Sequence, residues 1–218
     1  MKAAPALLRG ALITIEITAM SVFFGTLIGL VVGLGRLSPS KLLSRLAAVY
    51  VDVIRGTPLL VQVFIIYFGI PALLTQLSEP GHTVRIAPFM AAIIACSINS
   101  GAYVAEIFRA GIQSVEKGQM EAARSLGMTR GQAMRYIILP QAFRRVVPPL
   151  GNEFIALMKD TSILSAIGVE ELVRKGQLYV SVTYQPFPIY VGIALVYLVL
   201  TVTISRWVAY TERRLGVK

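Results

Sequence analysis

Two acidic residues stand seven positions apart in a largely apolar segment of the second half of the chain. Glu153 and Asp160 differ by only about 20° around a helix, so their carboxylates share one helix face. An ionised side chain at the centre of a bilayer costs roughly 2.5–3.5 kcal/mol, so such groups require a partner or a polar cavity. Paired carboxylates on one face can receive a cation, and a guanidinium or ammonium group is the natural guest.

Further polar side chains extend this candidate binding site. Asn152 and Thr161 adjoin the two carboxylates in sequence. Asn99 and Tyr103 lie one helical turn apart on the preceding apolar segment, so they also share a face. The four residues offer amide and hydroxyl groups that orient a polar guest, and we predict that they contribute to the same site.

The same charges also fit a purely structural role. Lys159 points away from the acidic face, and we expect it to pair with Glu106 or with a group on a neighbouring subunit. An intramembrane ion-pair network of this kind would hold helices together without binding any substrate. The residue types leave both interpretations open.

A polar, basic stretch, Glu121–Pro140, separates two long apolar segments. Its opening Glu-Ala-Ala triplet consists of good helix formers. Gly127 can end this first helix because glycine adopts the left-handed conformation at low cost. A second helical run is predicted from Arg130 to Leu139, with Pro140 as its limit. The stretch is therefore predicted to form a short helix, a bend and another short helix.

The composition indicates a membrane protein. Hydrophobic residues make up 56% of the chain and charged residues 15%, whereas soluble domains carry about a quarter charged residues. The net charge of +10 is explained by Lys and Arg in the gaps between apolar segments, so nucleic acid is not an expected partner. The chain has one cysteine, which excludes an intrachain disulfide. It also has one histidine, so a His/Cys metal site or a histidine-based catalytic centre is not expected.

The apolar segments predict one all-α, polytopic membrane domain over residues 1–218, with about five transmembrane helices. Most Lys and Arg residues fall on the cytoplasmic side if the N-terminus lies outside and the C-terminus inside. That arrangement also places the basic loop, about residues 116–140, in the cytoplasm. The predicted spans are approximately 11–34, 58–77, 86–108, 148–168 and 187–208.

Local patterns predict further details. Residues 41–55 form a basic amphipathic helix by their apolar spacing, and we expect it to lie along the inner membrane surface. Thr57 is predicted as the N-cap of the second span, with Pro58 in its first turn. Glycines at every fourth position give the first span a smooth face for close helix packing, namely Gly25, Gly29 and Gly33.

Three sequence stretches resemble a known family. The basic loop has Glu-Ala-Ala, three residues, Gly127, nine residues, Ile137, one residue and Leu139-Pro140. This pattern resembles the EAA loop of binding-protein-dependent ABC importer permeases. The segments RGTPLLVQVFIIYFGIP (55–71) and SGAYVAEIFRAGIQSV (100–115) resemble its polar-amino-acid branch, which includes histidine, arginine and glutamine permeases. NEFIALMKDTSILS (152–165) is similar to that branch as well.

This resemblance implies a type I importer permease of the bacterial cytoplasmic membrane. The EAA loop would be a coupling helix that docks on an ATP-binding cassette subunit dimer. Glu121, Ala122, Ala123 and Gly127 would carry the coupling, because the alanines let a partner surface approach closely and the glycine sets the bend. A second permease subunit and an outer solute-binding protein are further implied partners, besides membrane lipid. ATP and Mg²⁺ would bind the ATPase, because this chain has no Walker A pattern and no cofactor is expected on it. The implied substrate is a polar amino acid, and the two carboxylates leave room for a basic one.

Two other function classes compete with this interpretation. A small ion channel or proton-coupled carrier could use Glu106, Glu153 and Asp160 as a relay, would act without ATP and would leave the EAA pattern unexplained. A membrane-embedded hydrolase is disfavoured because the only histidine, His82, lies outside the predicted spans. The membrane subunit of an ABC importer for polar amino acids therefore remains the leading prediction.

Overall fold

A computed structural model describes residues 4–79 and 82–216 of the chain. Every regular element within these residues is helical, which confirms the predicted all-α fold. π-Helical turns occur at Ile65–Gly69, within the third helix of the chain, and at Met134–Ile138, directly before the seventh. In chain order the helices are α1 (Ala4–Arg36), α2 (Lys41–Arg55), α3 (Leu59–Leu77), α4 (Pro88–Gln113), α5 (Lys117–Ser125), α6 (Arg130–Ala133), α7 (Leu139–Asp160), α8 (Leu172–Thr183) and α9 (Pro186–Leu215).

Four of these helices, α1, α3, α4 and α9, are long and apolar enough to cross a membrane. They coincide with four of the five predicted spans. The remaining predicted span, 148–168, covers the second half of α7 and a 3₁₀ segment at Thr161–Ile167. The five-span topology with an outer N-terminus stays a prediction.

The contact between α1 and α4 is the most extensive in the fold, and α4 is the most buried of the four apolar helices. The predicted glycine face of α1 forms this contact. A Cβ atom added to Gly25 would lie 2.8 Å from Ser100 Cβ, and one added to Gly29 would lie 2.5 Å from Val104 Cγ1. Glycine at these positions therefore lets the two backbones approach closely, as the four-residue spacing predicts.

Helix α2 begins at Lys41 and ends at Arg55, as its apolar spacing predicts. Ala47 and Val51 are buried against the rest of the chain. The Tyr50 hydroxyl donates a 2.6 Å hydrogen bond to the Ile98 carbonyl oxygen of α4. Burial also raises the pKa of Tyr50 to about 12, so it remains a donor at neutral pH. This bond fixes α2 against α4 and thereby places Arg55 near the middle of α4.

The prediction that Thr57 caps the second span is wrong. Its hydroxyl points back and donates to the Val53 carbonyl oxygen at 2.8 Å, while Pro58 occupies the position before α3. The side-chain amide of Gln62 bridges the bend by donating to the Ile54 and Thr57 carbonyl oxygens. The α2–α3 corner is thus held by side chains that satisfy the last carbonyls of α2, rather than by a cap on α3.

Pro140 does not end the second helical run, so that prediction is also wrong. It is the second residue of α7, where a missing N–H costs nothing. The π-helical turn before it makes the junction possible, because the Leu139 N–H donates to the Met134 carbonyl oxygen. Helix α7 then continues through Pro148 and Pro149 to Asp160. The acidic face and the basic loop are therefore connected by one helix.

Candidate functional site

Helices α4 and α7 pack against each other, and each carries a row of residues at helical spacing of four, three and four. We call the two rows together the polar stripe. Several of its members are exposed on the surface of the single chain. Polar groups exposed on membrane helices normally face a water-filled path or a partner subunit. The rows are Asn99, Tyr103, Glu106 and Ala110 on α4, and Pro149, Glu153, Ala156 and Asp160 on α7.

Glu153 lies partly buried between α7 and α4, beside Ser100. The Ser100 hydroxyl is buried and makes no hydrogen bond of good geometry within the described ranges, and the same holds for Ser21 and Ser97. Ser97 lies one turn from Ser100 on α4, and Ser21 lies one turn from Gly25, which touches Ser100. The Ser100 hydroxyl is thus a donor available to the Glu153 carboxylate.

Asp160 is the last residue of α7 and is exposed. Because α7 is a continuous helix from Glu153 to Asp160, the two carboxylates share one face, as predicted. Asn152 is exposed but lies about 100° around the helix from Glu153. Thr161 is fully buried, and its hydroxyl donates to the Met158 carbonyl oxygen at 2.7 Å. The structure therefore exposes Asp160 and part of Glu153 and leaves the Thr161 hydroxyl engaged within the chain.

Asn99 and Tyr103 share a face of α4, but their side chains differ in accessibility. The Asn99 amide is buried and donates a 2.9 Å hydrogen bond to Gln62 Oε1 of α3. Tyr103 is 36% exposed, and the Arg55 guanidinium lies 5.1 Å from its ring centroid. Neither Gln62 nor Arg55 is among the site residues predicted from the sequence. An amide within an apolar segment and a charge at its start are the features that could have indicated them.

Lys159 and Glu106 do not pair, so that part of the prediction is wrong. The Glu106 carboxylate instead binds Arg109 one turn further along α4 and Arg36 of α1, whose Nη1 lies 3.5 Å away. Lys159 is exposed at the C-terminal end of α7. A partner for Lys159 on a neighbouring subunit stays a prediction.

Glu171 is a buried carboxylate that the sequence analysis did not single out. It caps the N-terminus of α8 by accepting hydrogen bonds from the Val173 and Arg174 N–H groups, at 2.9 and 2.7 Å. The Tyr197 hydroxyl of α9 donates to it at 3.4 Å. The adjacent Leu172 N–H donates to Thr14 Oγ1 of α1, so this cap holds three helices together. The Glu-Glu doublet before an apolar helical run was the available indication.

The predicted helix–bend–helix of the basic loop is confirmed, although α5 begins at Lys117 rather than at Glu121. Gly127 has φ +84°, the left-handed conformation that favours glycine. Its N–H donates to the Arg124 carbonyl oxygen and the Met128 N–H to that of Ala123, which together form a Schellman motif. A capping box between Thr129 and Gln132 then starts α6.

The two faces of α5 have different surroundings. Ala123 is buried, and Met120 packs on a cluster that includes Ile138 and Ala142 of the α7 region. Glu121 and Ala122 are exposed on the chain surface. Large apolar side chains near this face are exposed too, with Leu126 at 84% and Tyr136 at 62%. Exposed apolar side chains of this size are typical of protein-binding surfaces where they form a contiguous patch.

These features are typical of the membrane-embedded subunit of a transporter: long apolar helices, a polar stripe along α4 and α7, and an exposed helical hairpin. The chain belongs to the family described as the binding-protein-dependent transport system inner membrane component, whose model matches residues 5–217. Membership confirms the predicted ABC importer permease, a multi-pass transporter subunit rather than an enzyme. It also implies ATPase and binding-protein partners in general.

Individual relatives match over nearly the whole chain. The glutamine transport system permease protein GlnP of Escherichia coli (strain K12) is 41% identical over 99% of this chain and 95% of its own length. The arginine transport system permease protein ArtQ of Bacillus subtilis (strain 168) is 37% identical over 97% and 93%. A crystal structure of an amino acid ABC transporter with histidines superposes with a TM-score of 0.91, at 45% identity, over 98% of this chain and 95% of that one.

Proposed function

We propose that this chain lines the translocation pathway of an ATP-driven importer of polar amino acids in the bacterial inner membrane. A second permease subunit, identical or related, completes the pathway. The polar stripe carries the proposal, because it presents Asp160 and part of Glu153 on a membrane helix without a pairing cation of the same chain within 4.0 Å in the described residues. Such carboxylates need a guest or a partner subunit.

The chemistry of the stripe suits the groups that all amino acids share. The relatives named above transport glutamine, which has a neutral side chain, and arginine, which has a cationic one. Both substrates carry an α-ammonium group, which Glu153 or Asp160 can bind by a charge-assisted hydrogen bond. Tyr103 and Asn152 supply polar groups at the rim of the stripe. Asn99 and Thr161 act from behind it, by holding α4 against α3 and by fixing the end of α7.

Coupling to ATP hydrolysis passes through α5 in this proposal. Its exposed face, with Glu121 and Ala122, docks on an ATPase subunit, while Ala123 and the Gly127 bend fix its position on the permease. ATP and Mg²⁺ bind the ATPase dimer. Movement of α5 shifts the start of α7 through their shared apolar cluster, and α7 carries both carboxylates. The chain thus presents different affinities for substrate in its outward and inward states and performs no covalent chemistry.

Uptake into liposomes tests the proposal. The permease is reconstituted with its ATPase subunits and binding protein, and uptake of arginine, histidine and glutamine is followed with and without ATP. We expect ATP-dependent uptake and, in Asp160→Asn, a loss of at least about tenfold for the transported amino acid, since a charge-assisted hydrogen bond contributes about 1.5–3 kcal/mol. Glu16→Gln, an exposed carboxyl on α1 outside the stripe, is the matched control and should transport normally.

Other outcomes separate the competing functions. Flux that is independent of ATP would indicate a channel or a proton-coupled carrier instead of an importer. Failure of Asp160→Asn to assemble with the ATPase would indicate that the carboxylates hold the helices together and bind no substrate. Normal transport by an assembled Asp160→Asn complex would contradict the role of Asp160.

A further inference from the structure

Arg55 is a cation beside the polar stripe that forms no ion pair with the described part of the chain. It is the last residue of α2, and its guanidinium lies on the ring of Tyr103, 5.1 Å from the centroid. Among the residues that the structure describes, no carboxylate oxygen lies within 4.0 Å of its nitrogens. Its side chain is exposed on the single chain, so its hydrogen-bond donors are available to a ligand.

The guanidinium faces a cavity of about 410 Å³ between α4 and α7. A volume of this size lies in the range of roughly 300–1,000 Å³ that small-molecule sites occupy. The cavity adjoins the polar stripe on the side nearer α5. Pro149, in the cavity wall, lies one helical turn from Glu153. Its lining includes Arg55, Tyr103, Glu106, Ser114, Arg145 and Pro149.

The other cations around this cavity already have partners. Arg36 and Arg109 both bind the Glu106 carboxylate. Arg145 donates to the carbonyl oxygen and the hydroxyl of Ser114. Arg55 is therefore the guanidinium that this wall offers to an incoming anion.

A cation, Arg55, and an anion, Glu153, both lie at the polar stripe. Arg55 lies within electrostatic range of the Glu153 carboxylate, which has no cationic partner within 4.0 Å in the described ranges. An amino acid is a zwitterion whose ammonium and carboxylate groups are separated by a single carbon atom. A cation in the cavity wall and an anion one helical turn from the wall residue Pro149 match this pair of charges, whichever side chain the amino acid carries.

We propose that Arg55 binds the α-carboxylate of the transported amino acid in this cavity while Glu153 binds its α-ammonium group. The inference rests on the proposed function. Arginine suits this role because its planar fork binds a carboxylate through two parallel hydrogen bonds. The Tyr103 ring holds the guanidinium in place, so little side-chain entropy is lost when the ligand binds. Recognition of the two shared groups also accounts for a family whose members transport amino acids with different side chains.

Direct binding to the permease–ATPase complex in nanodiscs, without binding protein, tests this assignment. Isothermal titration calorimetry compares arginine, histidine and glutamine with the corresponding amines that lack the carboxylate: agmatine, histamine and 4-aminobutanamide. We expect wild type to prefer the amino acid over its amine. Arg55→Gln should weaken binding of that amino acid about 10–100-fold, as expected for a charged hydrogen-bonded pair, and leave the amine within about threefold. Arg45→Gln, an exposed arginine on the same helix, should change neither affinity.

Arg55→Lys distinguishes the planar fork from the charge alone, and we expect an intermediate loss in this variant. Equal weakening of amino acid and amine in Arg55→Gln would show that Arg55 only maintains the shape of the site, which overturns the inference. Unchanged binding of both would overturn it as well. Wild-type binding of none of the six probes would overturn the proposed function itself, whereas wild-type binding without an effect of Arg55→Gln would leave that function in place.

Discussion

Two opposing effects determine the pKa of the Glu171 carboxyl group. The side chain is fully buried, which disfavours its charged form, while two backbone N–H groups and the Tyr197 hydroxyl favour the carboxylate. Burial is the larger effect and raises the pKa of Glu171 to about 7. In an unfolded chain the pKa of a glutamate is about 4.3. Between these two values the folded protein binds a proton that the unfolded chain has released.

The stability of the permease should therefore depend on pH through Glu171. A raised pKa stabilises the folded state fully below the unfolded value, and this contribution is lost as pH rises towards 7. We expect the melting temperature of the purified complex in detergent to fall by several degrees between pH 5 and pH 7.5, at about 2–4 °C for each kcal/mol. Glu171→Gln should flatten this dependence, as measured by thermal-shift fluorescence across a pH series.

Glu170 provides the matched control for this pH series. It is exposed, and its hydrogen bond to Lys175 lowers its pKa, so its contribution is present at neutral pH and declines as pH falls. Glu170→Gln should therefore keep the downward slope between pH 5 and pH 7.5. An unchanged slope in Glu171→Gln would contradict the assignment of the titration to this buried cap.

At the scale of elements, the α1–α4 contact depends on glycine. A Cβ atom on Gly29 would lie 2.5 Å from Val104 Cγ1 and 2.9 Å from the Ala105 backbone nitrogen, closer than side chains tolerate. Gly29→Ala must therefore push the two helices apart. We expect a cost of about 1–3 kcal/mol, seen as a melting temperature lowered by several degrees and as reduced recovery of monodisperse complex.

Gly192 on α9 allows a controlled comparison. A Cβ atom there would meet only Leu7 Cδ1, at an ordinary contact distance of 3.6 Å. Gly192→Ala should be neutral or slightly stabilising, because alanine is the better helix former by about 1 kcal/mol. Equal melting temperatures for the two variants would refute the view that the glycine face of α1 is required for close packing.

Features that depend on local spacing were predicted from the sequence. The bounds of α2 and the glycine face of α1 follow from one helical period, and the Gly127 bend follows from one residue type. Thr57 and Pro140 were wrongly assigned for a physical reason. A threonine hydroxyl can bond the preceding turn as readily as the next one, and proline is tolerated at either boundary of a helix.

Contacts between distant residues could not be predicted from the sequence. Asn99 meets Gln62 over a separation of 37 residues, and Arg55 stacks on Tyr103 only because Tyr50 ties α2 to α4. Periodicity places Asn99 and Tyr103 on one face, but it does not show that the Asn99 amide is already engaged. The shared face of the candidate site was therefore predictable, whereas the availability of each side chain was not.

At the scale of the whole molecule, one continuous helix connects the two proposed functional surfaces. Helix α7 has 22 residues from Leu139 to Asp160, which corresponds to about 33 Å. Its start packs near α5 through a cluster that includes Val115, Ile138 and Ala142. A displacement at the start of a continuous helix is transmitted to its far end, here through Pro148 and Pro149, which lack a backbone N–H. The position of α5 relative to α7 should accordingly determine how much substrate is moved for each ATP hydrolysed.

Gly127 tests this mechanical connection, because its left-handed backbone sets the path of the chain out of α5. An added Cβ would meet nothing within 4 Å, so the only penalty of Gly127→Ala is the conformation itself, about 1–2 kcal/mol. We expect the bend to relax, which misplaces α5 on the ATPase. In proteoliposomes the number of amino acids transported per ATP hydrolysed should fall severalfold, while membrane insertion and the amount of permease recovered stay normal.

Gly131→Ala in α6 supplies the comparison that isolates the bend from any general effect of an added methyl group. This glycine is also exposed with open space around its Cα, but its backbone is helical, so alanine should fit there without strain. Transport per ATP should therefore match wild type in Gly131→Ala. If Gly127→Ala also transports at the wild-type ratio, then α5 tolerates a change in its C-terminal bend, and coupling must depend on the docked face of α5 alone.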